Sequence, residues 1–297
     1  MIKNIGEIAA IGTAFCWSIG PIFFTLAARL IGANIVNRIR LALTLVLLIL
    51  THFILLGKFL PDDAPLKVWF WFGISGIVGF TIGDTFLFNV FVLIGPRLTS
   101  LMMSLAKVFG AIIAWFFLNE ILSLPKILAI ILTLTGISWV VLGRKNDGQQ
   151  HRHYLKGILF GLGAAAGQAF GLFFSKKGLA NNFPAISGNL IRVLVATMTI
   201  WLIPIFQGKA TDSIKKLNDA KVRIGIFGGA IFGPYLGVWL SLVAVQKTYI
   251  GVASTLMALP PIILLPLAHW IFKERITIRA IGGTVITIIG VALLFLI

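Results

Sequence analysis

The sequence predicts an all-α integral membrane protein of ten transmembrane helices, arranged as two inverted five-helix repeats. Three observations carry that expectation. The chain is 59% hydrophobic and only 11% charged, with a mean hydropathy of +1.02, which excludes a soluble domain. Apolar runs close to 20 residues recur throughout, the length needed to cross ~30 Å of hydrocarbon. Residue patterns in the first half return in the second. Asn37-Arg38-Ile39-Arg40 reappears about 152 positions later as Asn189-Leu190-Ile191-Arg192, and Gly79-Phe80-Thr81-Ile82-Gly83 about 154 later as Gly233-Pro234-Tyr235-Leu236-Gly237. Glu120 and Gly136 return in the same way as Glu274 and Gly290.

In chain order the expected spans are 5–29, 34–56, 67–93, 97–118, 124–143, 155–178, 184–206, 221–247, 250–272 and 276–297. Each must be helical, because a lipid-embedded span has to satisfy its own backbone. They divide into a first repeat, 1–143, a polar linker, 144–154, and a second repeat, 155–297. An odd number of helices per repeat makes the two copies antiparallel and puts both termini on one side. The first span has only Lys3 ahead of it and no small-residue cleavage site, so it reads as a retained helix. Loops opposite the termini carry about twice the Lys and Arg of those beside them, which on charge alone places the termini outside.

The net charge of +16 does not indicate nucleic acid. The basic residues lie at helix ends and in loops, where they meet lipid headgroups, and none forms an aromatic-interleaved cluster. The single cysteine, Cys16, excludes an internal disulfide and a cysteine-rich metal site, and no cofactor is expected. An enzyme is not expected either: HExxH, Gly-x-Ser-x-Gly and phosphate-loop patterns are all absent from the sequence. The missing nucleotide motif likewise argues against an ATP-driven pump. Duplicated hydrophobic bundles instead suggest a secondary carrier with its site at the repeat interface.

Two charges lie deep in spans. Asp84 is about 11 residues before the turn at Gly95-Pro96 and Lys107 about 11 after it. At 1.5 Å per residue both sit ~17 Å from the same surface. The expectation is that they pair across neighbouring antiparallel helices, as a structural lock or as a substrate or proton site. The second copy shows no matching charge in the middle of helices eight and nine. Arg40 and Arg192 occupy matched places in helices two and seven, to be read as snorkelling side chains or as a gate. Trp17, Tyr235 and Trp239, with Ser104, Gln168 and Met257, are candidates to line a cavity. The glycine pairs are expected to be close-packing faces, Glu120 and Glu274 to end helices four and nine, and His269 to be interfacial.

Several segments carry a family resemblance. Thr99 through Phe109, running on to Phe117-Leu118-Asn119-Glu120, resembles the fourth helix of the EamA family of the drug/metabolite transporter superfamily. Gly251 through Pro261, running on to Phe272-Lys273-Glu274, resembles it again. Cys16-Trp17-Ser18-Ile19-Gly20 is similar to the family's first-helix Trp-Gly motif, and Gly282 through Leu294 to its glycine-rich last helix. The resemblance implies an inner-membrane carrier with cytoplasmic termini, often an exporter of amino acids or other small metabolites. It spans the whole chain and outweighs the charge count. One departure stands out: Lys107 occupies the place of the family's mid-helix proline, whereas the second copy keeps Pro260 and Pro261. The expected function is that of a secondary transporter or facilitator moving a small organic metabolite, amino-acid-like or amphipathic, by alternating access, with export the expected direction. The alternatives are an antiporter of phosphorylated solutes or nucleotide-sugars, which needs several basic residues converging on one cavity, and a non-transporting scaffold. Expected partners are the lipid bilayer and a small-molecule substrate; protons and a homodimer are left open.

Overall fold

A computed structural model describes residues 4–118, 123–142, 149–179, 183–208, 210–273 and 276–296. Among these residues ten helices are long and apolar enough to span a bilayer. They are α1 (Ile5–Ile31), α2 (Ala33–Leu56), α3 (Leu66–Ile94), α4 (Pro96–Phe117), α5 (Leu124–Leu142), α6 (His153–Gly178), α7 (Ala185–Phe206), α8 (Ala220–Lys247), α9 (Val252–Phe272) and α10 (Ile278–Leu296). Large apolar side chains such as Ile54, Phe206 and Ile278 point outward, as a lipid-facing surface requires. The turn between α3 and α4 is tight because Gly95 takes φ 84°, a left-handed conformation with no Cβ to clash, and Pro96 opens the next helix at its first position.

The packing repeats with the sequence. Helix α5 lies along α10, α2 along α7 and α4 against α9. Helix α1 packs on α8 as α6 packs on α3, and on α9 as α6 packs on α4. Exchanging the first five helices for the last five leaves this set unchanged, so the operation relating the halves is two-fold. Because five helices precede α6, the exchange also reverses helix direction, which is the geometry of an inverted repeat. At the α5–α10 crossing a Cβ on Gly136 would lie 2.6 Å from Thr287 N, and one on Gly290 2.6 Å from Thr133 N. Backbones meet there through the same small residues twice.

Among the described residues four helices are interrupted, in matched pairs. A π-helical segment, Ile77–Gly83, breaks α3, and another, Ile231–Tyr235, breaks α8. Pro234 accounts for the second, since it has no N–H to give; Gly79 and Gly83 relax the first. Each segment leaves a carbonyl for a side chain from another helix: Asn37 Nδ2 donates to Phe80 O at 3.3 Å, and Asn189 Nδ2 to Pro234 O at 2.9 Å. Helix α4 breaks at Ser104, where Ser104 N reaches back only to Leu101 O and Lys107 N to Ser104 O. Helix α9 breaks between Met257 and Pro260 with the same shortened bonds. The expectation that Lys107 stands in place of a kink is therefore corrected: α4 is broken without proline, and Lys107 lies just beyond the break.

Candidate functional site

All four interruptions meet at one cavity of about 220 Å³. Its wall includes Phe80 and Asp84 from α3, Ser104 and Lys107 from α4, Gly233, Pro234 and Val238 from α8, and Met257, Ala258 and Pro260 from α9. Helices α1, α2, α6 and α7 add Trp17 and Phe24, Arg40, Gln168, and Arg192. An unwound backbone at this depth is tolerated only where it lines such a space.

Asp84 is the first residue after the π segment and is 3% exposed. Its Oδ2 is ion-paired with Arg40 Nη2, and its Oδ1 accepts from Gln168 Nε2 at 2.6 Å. Arg40 in turn donates from Nε and Nη2 to Asn37 Oδ1 at 3.0 and 2.8 Å. Its guanidinium carbon lies 4.7 Å from the Phe88 ring centre and 5.3 Å from that of Phe24. One network thus ties the π segment of α3, through Asn37, Arg40 and Asp84, to α2 and α6.

The pairing expected between Asp84 and Lys107 is not the one formed. No ion pair includes Lys107 among the described residues, and its Nζ sits 6.0 Å from the Trp17 ring centre. Equal depth does bring both charges to the same cavity. Arg40, from a helix not considered as neighbour to Asp84, is closer. Snorkelling is overturned for both arginines. Arg40 is 3% and Arg192 4% exposed, because α2 and α7 pack face to face at the bundle centre. Helices α8 and α9 bring no charge to the wall among the described residues, as expected, but Arg192 brings one from α7: its guanidinium carbon lies 4.4 Å from the Phe80 ring centre.

Of the aromatic candidates, Trp17 lines the cavity, as do Ser104, Gln168 and Met257. Tyr235 and Trp239 do not. They pack beside Leu41, Leu48, Leu190 and Val193 at the α2–α7 contact, and the Tyr235 hydroxyl bonds Thr51 Oγ1 at 2.6 Å. The π segment ending at Tyr235 rotates the residues after it away from the face a continuous helix would give them. His269 is exposed and apart from the cavity. Glu120, Glu274 and Arg275 lie outside the described residues.

The sequence reading missed His52. It is 1% exposed and joins α2 to α7, with Nδ1 2.6 Å from Lys58 O and Nε2 3.0 Å from Ser187 Oγ. The signal available was an ionisable residue inside an apolar span.

Comparison with known proteins decides the family. The model of the EamA-like transporter family matches the chain twice, over residues 4–142 and 155–296. The chain belongs to the EamA-like transporter family. A relative described as an uncharacterized transporter, from Archaeoglobus fulgidus, is 26% identical over 222 residues, covering 73% of this chain and 74% of that one. A solved crystal structure superposes over 98% of this chain and 96% of its own with a TM-score of 0.61; at 15% identity it speaks for the fold. The EamA-family assignment makes the chain a multi-pass membrane transporter acting on a small molecule within the lipid bilayer.

Proposed function

We propose that this EamA-family protein is a secondary carrier that exports a small amphipathic metabolite, binding it in the central cavity and exposing it to each side in turn. The observation that carries the reading is the meeting of four interrupted helices, two from each half, at one cavity. Discontinuous helices at a repeat interface are the arrangement in which such carriers hold their solutes. Each interruption gives the helix a point of bending, and the paired small-residue contacts allow backbones to slide. Trp17, Ser104, Gln168, Met257, Asp84, Lys107, Arg40 and Arg192 form the wall the solute meets. In this reading the protein sits in the inner membrane with both termini cytoplasmic, and proton coupling and a homodimer are compatible with it.

The test is counterflow in proteoliposomes loaded with members of a metabolite panel, with and without an imposed pH gradient. Saturable exchange of at least one solute, abolished by a Ser104→Trp substitution that fills the cavity in a folded protein, is the expected result. Exchange that is absent for every panel member, or unaffected by filling the cavity, would overturn the reading.

A further inference from the structure

The cavity wall holds three cations, Arg40, Lys107 and Arg192, and one acid, Asp84. Both Asp84 oxygens are already engaged, one by Arg40 and one by Gln168. Among the described residues the wall carries two cations more than acids, and Lys107 and Arg192 face the space without an ion-pair partner, so it favours a solute that brings negative charge over one that brings an ammonium group. A cation held in a protein interior at membrane depth is expensive unless an opposite charge meets it.

The inverted repeat supplies an internal template for what Arg192 meets. In the first half, Asn37 holds the π-segment carbonyl, Arg40 donates to Asn37 Oδ1, and Asp84 pairs with Arg40. In the second half, Asn189 holds the corresponding carbonyl of Pro234. Gly83-Asp84 corresponds to Gly237-Val238, so Val238 stands where the acid would be. There Arg192 Nε and Asn189 Oδ1 are both buried without a hydrogen-bond partner. A buried donor such as Arg192 Nε is rarely left unmet, and a guanidinium fork matches the geometry of a carboxylate.

We propose that Arg192, assisted by Lys107, binds the carboxylate of an organic anion, taking from the solute the charge that Asp84 supplies to Arg40 in the other half. The proposal rests on the transport reading above and narrows its substrate class. The second halves of α4 and α9 begin at this wall, at Leu105 and Pro260, and their positive ends add to the preference for an anion. Apart from Gln168, Ser100, Ser104 and Ser241, the rest of the wall is apolar: Trp17, Phe24, Phe88, Met103, Leu172 and Met257 would enclose a ring or short hydrocarbon body. The solute class is thus a carboxylate with an apolar body and no free amine.

The experiment uses the purified full-length chain in nanodiscs, with binding followed by tryptophan fluorescence. Four probes are compared: 3-phenylpropionate, phenylalanine, 3-phenylpropylamine and glucose 6-phosphate. The expected result is that 3-phenylpropionate binds at least tenfold more tightly than the other three. Arg192→Gln should weaken it at least tenfold, Lys107→Gln several-fold, and Arg192→Lys less than Arg192→Gln. Melting temperatures of the same samples establish that the variants are folded. Equal binding of phenylalanine, preference for the amine or the sugar phosphate, binding of none of the four, or an Arg192→Gln variant within twofold of wild type would each overturn the proposal. Counterflow separates this from the transport reading. A carrier that exchanges zwitterions at a rate indifferent to Arg192→Gln keeps the transport reading and loses the anion site. Tight anion binding with no exchange does the reverse.

Discussion

Arg40 and Asp84 should be energetically coupled, and Asp84 and Lys107 should not. Asp84→Leu strands the Arg40 guanidinium, which is 3% exposed, and leaves Gln168 Nε2 without its acceptor. Removing one partner of a buried pair costs about 3–5 kcal/mol. With an unfolding entropy of about 2.1 cal/mol/K per residue, that corresponds to a fall in melting temperature of roughly 5–8 °C for a chain of this length. Arg40→Met should cost a similar amount, because it strands Asp84 and releases Asn37 Oδ1. The double variant Arg40→Met/Asp84→Leu leaves no unpaired charge from this pair, so it should be more stable than either single variant, with a coupling of about 3 kcal/mol or more. Lys107→Met breaks no ion pair among the described residues and should leave the melting temperature unchanged or raised. Its coupling to Asp84→Leu should stay below about 1 kcal/mol. Thermal unfolding of the five variants in one detergent decides the matter. If Lys107→Met, and not Arg40→Met, rescues Asp84→Leu, the network described around Asp84 is wrong.

Two further outcomes follow from packing. Gly136→Ala would put a Cβ 2.6 Å from Thr287 N and force α5 from α10, lowering stability by about 1–3 kcal/mol. Gly110→Ala meets nothing within 4 Å and should be neutral or stabilising, so the pair of melting temperatures tests the crossing directly. His52→Ala leaves Ser187 Oγ and Lys58 O without a partner and should cost about 1–3 kcal/mol by the same measurement, with His52→Gln recovering part of it.

The spans were legible because length and hydropathy alone set them, and the described helices begin and end within a few residues of the expected bounds. The repeat was legible because Asn37 and Asn189, and Gly136 and Gly290, perform the same packing tasks in both halves. Asp84 and Lys107, matched in depth by counting from the Gly95-Pro96 turn, line one cavity. Partnership was not legible, for two physical reasons. Depth says nothing about azimuth, and a π segment adds a residue to the turn it occupies, so the faces of Asp84, Tyr235 and Trp239 cannot be carried across it by a 3.6-residue period. The second reason is that helices adjacent in space need not be adjacent in sequence. Arg40 reaches Asp84 from α2, and Gln168 reaches it from the other repeat.

What is duplicated and what is not divides along a physical line. The residues that hold helices together come in pairs: Asn37 and Asn189 on the π-segment carbonyls, Thr133 with Gly290 and Thr287 with Gly136 at the α5–α10 crossing. Of the residues that face the cavity, Arg40 and Arg192 match, and the others differ between copies: Asp84 against Val238, Lys107 against Pro261, and Gln168 against Trp17. A scaffold with matched packing lets the two halves exchange shapes at little cost in energy, since whatever one half gives up the other half takes on in equivalent form. A wall with matched charges would offer a solute two equivalent poses, one the inversion of the other. Placing the acid in one half and leaving Arg192 without an ion-pair contact among the described residues of the other removes that degeneracy. Charge on the wall is then met at Arg40 by Asp84, and at Arg192 it falls to a solute to supply the balance.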